Sequence, residues 1–413
     1  MSFRVPSLQS LLVFAVLGLW MPLGTAYALQ EKEIDEKEGM EVFDEVDPYT
    51  KGDAELVKAL GYVRLGHGPW HDRDDTKALQ QNMGGIEMLF VETEHFRIAS
   101  SLGTYEIPND REERAKIKGE IKRLKEKLGR IKVPKNELDP WLRLHLYALR
   151  AEDVYAAFCA DFGLTADDFG PLVPHMGYPQ KIRLVLCQRK SEFGRYVRQY
   201  HDTDVEYSYR NISPRDSLAV AANLESLTEG WEQEDDVPFD SLLHNIVASC
   251  LTTTFMDSHN GSAYTSPRWF VYGMSHLQLR RIDPEWTYAD GRQPGQGQDK
   301  DQWDWEPRVY KLVKNEFFAS ARDMFAWQDY PDLHQRDHMI SWSKSEFLVS
   351  VLEGDRKAFL NAVCRQPSKY GSDIGDQDLV QRQVDALQQC FGLTPEEFDE
   401  AWSKWVLKNY RRK

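Results

Sequence analysis

The chain has 413 residues, a length that allows two or three packed units. Its formal net charge of −15 disfavours nucleic acid and anionic membranes as partners, because both carry negative charge. Five cysteines are few and odd in number, and their spacing excludes a zinc ribbon and a disulfide-rich scaffold. Cys364 and Cys390 flank a predicted loop and could pair in an oxidising compartment.

Residues 1–28 have the pattern of a secretory signal peptide. Arg4 precedes an apolar stretch from Leu11 to Leu19, and Ala26-Tyr27-Ala28 is a small-x-small cleavage site. A membrane anchor is the competing interpretation, but Pro22 follows the short apolar stretch and a basic flank does not. The sequence therefore predicts a secreted or periplasmic protein with no membrane anchor after signal cleavage.

An acidic linker and an N-terminal α+β region are predicted next, over residues 29–56 and 57–175. The linker is rich in Glu and Asp and lacks periodic apolar positions, so we expect it to be solvated or loosely held. Alternation over Leu89–Ser100 predicts one strand. Helical spacing predicts helices over 111–132 and from Pro140 to about Phe162.

Residues 176–413 form the last predicted region, which begins with β-type segments. Strands are predicted over Lys181–Gln188 and Ser217–Leu227, with a short helix from Ser191 to His201 between them. Near the end of the chain, Thr394 and Glu397 form a capping box that predicts a final helix. Three further helices are predicted over 309–327, 342–352 and 357–363, with a loop over 365–376.

Two helices joined by a polar turn organise this region. The first begins after Pro238, and Asn260-Gly261 marks the turn. Ser266 followed by Pro267 is typical of a helix start and opens the second helix. The apolar positions expected to point inward are Leu243, Val247 and Cys250 on the first helix, and Trp269, Phe270, Met274 and Leu277 on the second.

This helix pair resembles the active-site core of gluzincin metallopeptidases, in the peptidase MA-like group. There, HExxH on one helix is followed by a helix of the form P-x-W-[LF]-x-E-G-x-A. The segment PRWFVYGMS, which begins at Pro267, matches the second helix, whereas HExxH corresponds to the five residues from His244 to Ala248. The resemblance implies an α+β, predominantly helical fold with a gluzincin-like strand-plus-helix core and additional N-terminal and C-terminal helices.

The residues that would hold and use zinc are replaced in this chain. Zinc peptidases of this type use two histidines at i and i+4 together with a carboxylate. Ala248 has no ligating atom, the amide of Asn245 cannot act as a general base, and Tyr272 replaces the glutamate ligand. His244 alone is retained, so the resemblance implies a pseudo-metallopeptidase with a degenerate HExxH and no metal or other cofactor.

We expect such a protein to bind a peptide or another protein through the former active-site cleft. The expected binding residues are His244, Asn245, Tyr272 and His276. In the family, the strand before the HExxH helix forms the sheet edge that pairs with bound peptide, a role that falls here on Ser217–Leu227. An alternative is a hydrolase with a rebuilt site around His244 and His276. Metal analysis followed by a hydrolase screen distinguishes the two.

Overall fold

The computed structural model describes residues 46–71, 74–129, 131–132, 134, 136–213, 217–229, 231, 236–259, 266–287, 303–327, 333–364 and 376–410. The fold is α+β and 56% helical, with a mixed sheet of six strands. This confirms the predicted fold class at that level. No helix in the described ranges is both long enough and apolar enough to cross a membrane.

The main sheet has the strand order β1-β2-β3-β6-β8-β7. Its strands are β1 (Arg64–Leu65), β2 (Leu89–Glu92), β3 (Phe96–Ser100), β6 (Ile182–Cys187), β7 (Ser208–Ile212) and β8 (Leu218–Asn223). A separate antiparallel pair consists of β4 (Tyr105–Glu106) and β5 (Glu137–Leu138). In the main sheet β3, β6 and β8 run parallel, and the other pairs are antiparallel. Every residue of β6 and β8 is buried, which is typical of strands covered on both faces.

Helices make up most of the remaining described chain. They are α1 (Ala54–Ala59), α2 (Thr76–Asn82), α3 (Arg111–Leu128), α4 (Pro140–Phe162), α5 (Lys190–His201), α6 (Glu225–Thr228), α7 (Phe239–Ser258), α8 (Arg268–Ile282), α9 (Trp305–Lys314), α10 (Ala321–Phe325), α11 (Gln335–Ser350), α12 (Arg356–Cys364), α13 (Asp376–Phe391) and α14 (Pro395–Asn409). The two organising helices of the sequence are α7 and α8. Their predicted inward apolar positions are all buried.

Two predicted elements are each divided in the structure. Leu89–Ser100 forms the hairpin β2–β3 instead of one strand. Thr93 closes its turn, because its N–H donates to the carbonyl of Phe96 and its Oγ1 accepts a hydrogen bond from Phe96 N. The alternating pattern continues through both arms without Gly or Pro, so the sequence did not reveal the turn. Residues 309–327 form α9 and α10 rather than one helix. α13 was not predicted, and the predicted loop over 365–375 lies outside the described residues.

The strand predicted over Ser217–Leu227 is not at the sheet edge. It is shorter, as β8, and lies between β6 and β7. The outer strand on this side of the sheet is β7, which pairs antiparallel with β8, and β1 is the outer strand on the other side. The expectation that Ser217–Leu227 forms the peptide-pairing edge is therefore wrong, and the edge position belongs to Ser208–Ile212.

The main sheet contains strands from both the predicted N-terminal region and the predicted region that follows it. β3 belongs to the region 57–175 and β6 to the region 176–413, yet they pair within one sheet. Asp47 and Thr50 belong to the predicted linker 29–56, but both are buried, so the linker is not loosely held at these two residues. Its first part, 29–45, lies outside the described residues, as do the signal peptide residues. All five cysteines have free thiols, so Cys364 and Cys390 are not paired.

Candidate functional site

α7 and α8 pack against each other in an antiparallel arrangement that three hydrogen bonds define. Near the start of α7, Asn245 Nδ2 donates to the carbonyl of Trp286, which follows α8, at 2.7 Å. The hydroxyls of Ser249 and Ser275 are 2.8 Å apart at mid-length. At the other end, Ser266 Oγ donates to Met256 O at 3.1 Å. The two helices are therefore packed along their length, and α7 also packs on β7 and β8.

His244 lies beside α3 and α4 in a region rich in charge. Its Nδ1 is 4.0 Å from Glu120 Oε1, and the residue is 6% exposed. Burial lowers the pKa of His244 well below its usual range, and the positive charges of Arg150 and Lys116 lower it further. The imidazole is therefore neutral at physiological pH.

The charge beside His244 is balanced by a buried ion-pair network that joins α3, α4 and α7. Arg150 Nη2 is 2.6 Å from Asp240 Oδ2 and 2.7 Å from Glu120 Oε2. Burial alone would raise the pKa of Asp240, but the nearby positive charge of Arg150 holds it below its usual range. Tyr147 also donates a hydrogen bond to Asp240 Oδ1, at 3.3 Å. Asp240 is therefore an ionised, fully buried carboxylate.

Glu113 is a second buried carboxylate in this network, and its pKa is shifted upward, whereas that of Asp240 is shifted downward. Burial raises the pKa of Glu113, although Lys116 Nζ lies 3.8 Å from Glu113 Oε2. Ser241 donates a hydrogen bond to Glu113 and accepts one from Lys116 Nζ at 2.8 Å. This resembles a serine–lysine pair, but Ser241 is completely buried and so cannot meet a substrate from solution. The network links helices and offers no accessible nucleophile.

Asn245 and Ala248 are both buried where α7 packs against its neighbours. Asn245 is fully buried, and its amide holds the segment after α8 through Trp286. Ala248 is fully buried and belongs to the main hydrophobic core. Both residues therefore serve helix packing.

Tyr272 and His276 face α11, away from the network around His244. His276 Nε2 and His338 Nδ1 are 2.9 Å apart, and the rings of Tyr272 and His338 meet edge-on at 6.1 Å. Burial lowers the pKa of His276 well below its usual range, and burial lowers the pKa of His338 to about 4. Both imidazoles are therefore neutral near pH 7 and share one N–H···N hydrogen bond.

The four residues predicted to bind a ligand are thus divided between two places. Tyr272 and His276 lie together on α8, whereas His244 contacts Glu120 of α3. His276 follows Ser275, whose hydroxyl contacts Ser249 of α7. Ser249 lies about one and a half helical turns beyond His244, so His276 and His244 are at different heights along the helix pair. Within the described ranges, no group of three His, Cys, Asp or Glu side chains is arranged to hold a metal ion. Catalytic zinc sites use three protein ligands.

The sequence did not single out the outer strand β7, which has a half-exposed surface from Ser208 to Asn211. Arg210 points towards α7, where its Nη1 is 3.1 Å from Asp257 Oδ2. Arg268, at the start of α8, is 3.4 Å from the other oxygen of Asp257. The opposite face of β7 meets α5, where the rings of Tyr209 and His201 are 4.7 Å apart. The β-type residues of Ser208–Ile212 were the available signal, but nothing local marks an outer strand.

No protein-family model, curated protein or solved structure matches this chain in the comparisons.

Proposed function

We propose that this chain is a non-catalytic, gluzincin-like protein that binds an extended peptide segment of a partner along the outer edge of β7. The observation that carries the proposal is the position of β7, an antiparallel outer strand with half-exposed residues. Extended peptides bind such edges by adding one strand to the sheet. The predicted cleft residues His244, Asn245 and His276 are buried. We therefore place the contact surface at the outer edge of β7 and not at these residues.

The register of β7 identifies the backbone groups that would bind the peptide. Ser213 N donates to Ser217 O, so these two opposed residues form a hydrogen-bonded pair. Such pairs alternate along an antiparallel ladder, and therefore Asn211 and Tyr209 also direct their backbone groups to β8. The N–H and C=O groups of Ser208, Arg210 and Ile212 consequently point outward. They form the row that an added strand would pair with.

The non-catalytic part of the proposal is supported by side-chain chemistry. A methyl group at Ala248 and an amide at Asn245 replace a zinc ligand and a general base. The remaining imidazole of His244 is next to a carboxylate, Glu120, but that carboxylate is already shared with Arg150. The rebuilt-site hydrolase is less well supported, because His244 and His276 contact different helices.

Peptide binding at the edge can be tested with a variant that removes one outward donor. We expect Ser208→Pro to weaken the binding of a fluorescein-labelled, ten-residue peptide of alternating Thr and Val, since proline has no N–H. Ser208→Ala keeps the N–H and is the matched control. A probe that is N-methylated at alternate residues should bind weakly to every variant. Equal binding by Ser208→Pro and Ser208→Ala would contradict docking at β7.

Zinc content tests the non-catalytic part independently. The purified protein is expected to retain no stoichiometric zinc after dialysis against zinc-containing and then metal-free buffer. Zinc analysis before and after dialysis, followed by a peptidase assay, provides the measurement. One tightly held zinc per chain, together with peptide hydrolysis, would overturn this part of the proposal.

We further propose that the protein is secreted or periplasmic, with cleavage after Ala28. The support is the short apolar stretch that ends in Ala26-Tyr27-Ala28. N-terminal sequencing of protein from the culture medium or periplasm should begin at residue 29. A mature chain that still begins at Met1 would argue against export.

A further inference from the structure

We infer that the peptide bound at β7 carries a carboxylate opposite Arg210, an inference that rests on the proposed function. β7 has the sequence Ser-Tyr-Arg-Asn-Ile, so Arg210 is its one charged side chain. It belongs to the row whose backbone groups point outward. The inference therefore concerns one position of the bound peptide and one class of side chain.

Arg210 is held in place by an interaction that leaves most of its hydrogen-bonding capacity unused. Its Nη1 contacts Asp257 Oδ2 at 3.1 Å, and the side chain of Asp257 is completely buried. A guanidinium has five N–H donors. Apart from this contact, the described residues provide no acceptor to the guanidinium of Arg210, whose side chain is 27% exposed. An anchored and partly solvated guanidinium has N–H groups free to donate hydrogen bonds to a second carboxylate.

The geometry of an added strand places a side chain next to Arg210. Side chains of directly opposed residues in neighbouring strands lie about 4.5–5.5 Å apart at Cβ, on the same face of the sheet. On the α7 face, the neighbours of Arg210 along β7 are Ser208 and Ile212, which are uncharged. A peptide carboxylate at this position would form a charge-assisted hydrogen bond, whereas a peptide ammonium group would be repelled.

The acidic character of the chain as a whole makes this preference specific to one position. A net charge of −15 repels acidic peptides at long range, and salt screens that repulsion. Contact with Arg210 is local and partly shielded, so it favours one carboxylate in the correct register. Additional acidic residues elsewhere in the peptide should not improve binding.

Three acetylated and amidated ten-residue Thr/Val probes test the inference, with Glu, Gln or Lys at the fifth position. By fluorescence polarisation, the Glu probe should bind the wild-type chain about five- to tenfold more tightly than the Gln probe, and the Lys probe most weakly. In Arg210→Gln, the Glu and Gln probes should bind equally. Arg210→Glu should instead favour the Lys probe. A Gln probe with a free C-terminal carboxylate distinguishes a terminal carboxylate from a side-chain one.

Arg198→Gln is the matched control, because Arg198 is an exposed arginine of α5 that pairs with Asp204. It should keep the preference for Glu. If Arg210→Gln does not fold, Arg210→Lys retains the charge beside Asp257 and should retain a reduced preference for Glu. Equal binding of the Glu and Gln probes by the wild type would overturn the carboxylate inference alone. No binding of any probe would overturn the proposed function as well.

Discussion

At Gly273, a Cβ atom built on the backbone would lie 2.1 Å from Ser345 Oγ and 2.4 Å from the carbonyl oxygen of Ser341. Both neighbours belong to α11, so the absence of a side chain at Gly273 allows α8 and α11 to approach closely. In the sequence, this glycine belongs to the PRWFVYGMS segment. The structure gives its physical reason, which is helix packing and requires no ligand.

Gly273→Ala should therefore destabilise the fold. The added methyl group must displace the backbone of α11, and overpacking of this kind typically costs about 1–3 kcal/mol, occasionally more. Gly119→Ala is the control, because a Cβ atom at this exposed position of α3 meets nothing within 4 Å. Alanine should stabilise that helix by about 0.5–1 kcal/mol. Urea unfolding of both variants gives the two free energies, and equal signs would contradict this account of Gly273.

The hydrogen-bonded pair of His276 and His338 should make stability depend on pH. The pKa of His338 is about 4 in the folded chain, compared with an ordinary value of 6.5. Between these values the unfolded state binds more protons, so stability is complete above about 6.5 and decreases as pH falls towards 4. Unfolding free energies measured by urea titration between pH 7.5 and pH 4 should show this decrease.

The variant His338→Asn separates this pair from other titrating groups. Its amide can replace the hydrogen bond at Nδ1, but it does not titrate. The decrease in stability between pH 6.5 and 4 should be smaller in the variant than in the wild type. An unchanged pH dependence would show that His338 does not contribute to it.

At the scale of elements, local signals predicted helices well and pairing poorly. α4 and α14 begin at Pro140 and after Thr394, as predicted, and their N-caps Asp139 and Thr394 each accept a hydrogen bond from the first turn of the helix. The order of β7 and β8 in the sheet depends on contacts between distant segments, which no local pattern records. For the same reason, the sequence found the residues of α7 and α8 but not the neighbours of His244 and His276.

Asp47 shows how a segment that the sequence treats as linker is attached to the core. One carboxylate oxygen accepts hydrogen bonds from Thr50, and His145 Nε2 lies 3.3 Å from the same oxygen. The other oxygen accepts a hydrogen bond from Tyr49 N. His145 is in turn bonded to Tyr62 through Nδ1, at 2.9 Å. These contacts connect the chain before α1 to α4.

We expect Asp47→Asn to destabilise the fold by about 1–3 kcal/mol, since an amide NH₂ replaces an accepting oxygen and loses the charge beside His145. Asp53→Asn is the matched control: Asp53 is the exposed N-cap of α1, and asparagine caps helices equally well. Thermal melts of the two variants provide the comparison. Similar melting temperatures for both would mean that the segment around Asp47 contributes no stability.

At the scale of the whole molecule, the network around Arg150 joins both halves of the chain. Arg150 and Glu120 come from α4 and α3, and Asp240 from α7. Sequence periodicity treats such charged positions as solvent-facing, so it could not predict this arrangement. Arg123 and Asp153 form a comparable pair at the surface, with the same N–O distance of 2.6 Å.

These two pairs allow a direct test of burial. Arg150→Met should cost about 3–5 kcal/mol, because it leaves Asp240 buried without its cation. Arg123→Met should change stability by less than about 1 kcal/mol, since exposed pairs contribute little. Adding Asp240→Asn to Arg150→Met should recover part of the loss. Chemical unfolding of the wild type and the three variants measures their free energies of unfolding. Equal losses for Arg150→Met and Arg123→Met would contradict the argument from burial.

The parallel pairing of β3 with β6 also has a consequence for how the protein reaches its fold. The segment that contains α3 and α4 lies between β3 and β6 in the chain, so pairing of these two strands closes a long loop. Parallel pairing of distant segments is slow, and refolding from urea is expected in about milliseconds to seconds rather than microseconds. Until β6 is available, β3 has an unpaired apolar edge. A nascent chain that ends before Ile182 should therefore aggregate unless a chaperone covers that edge.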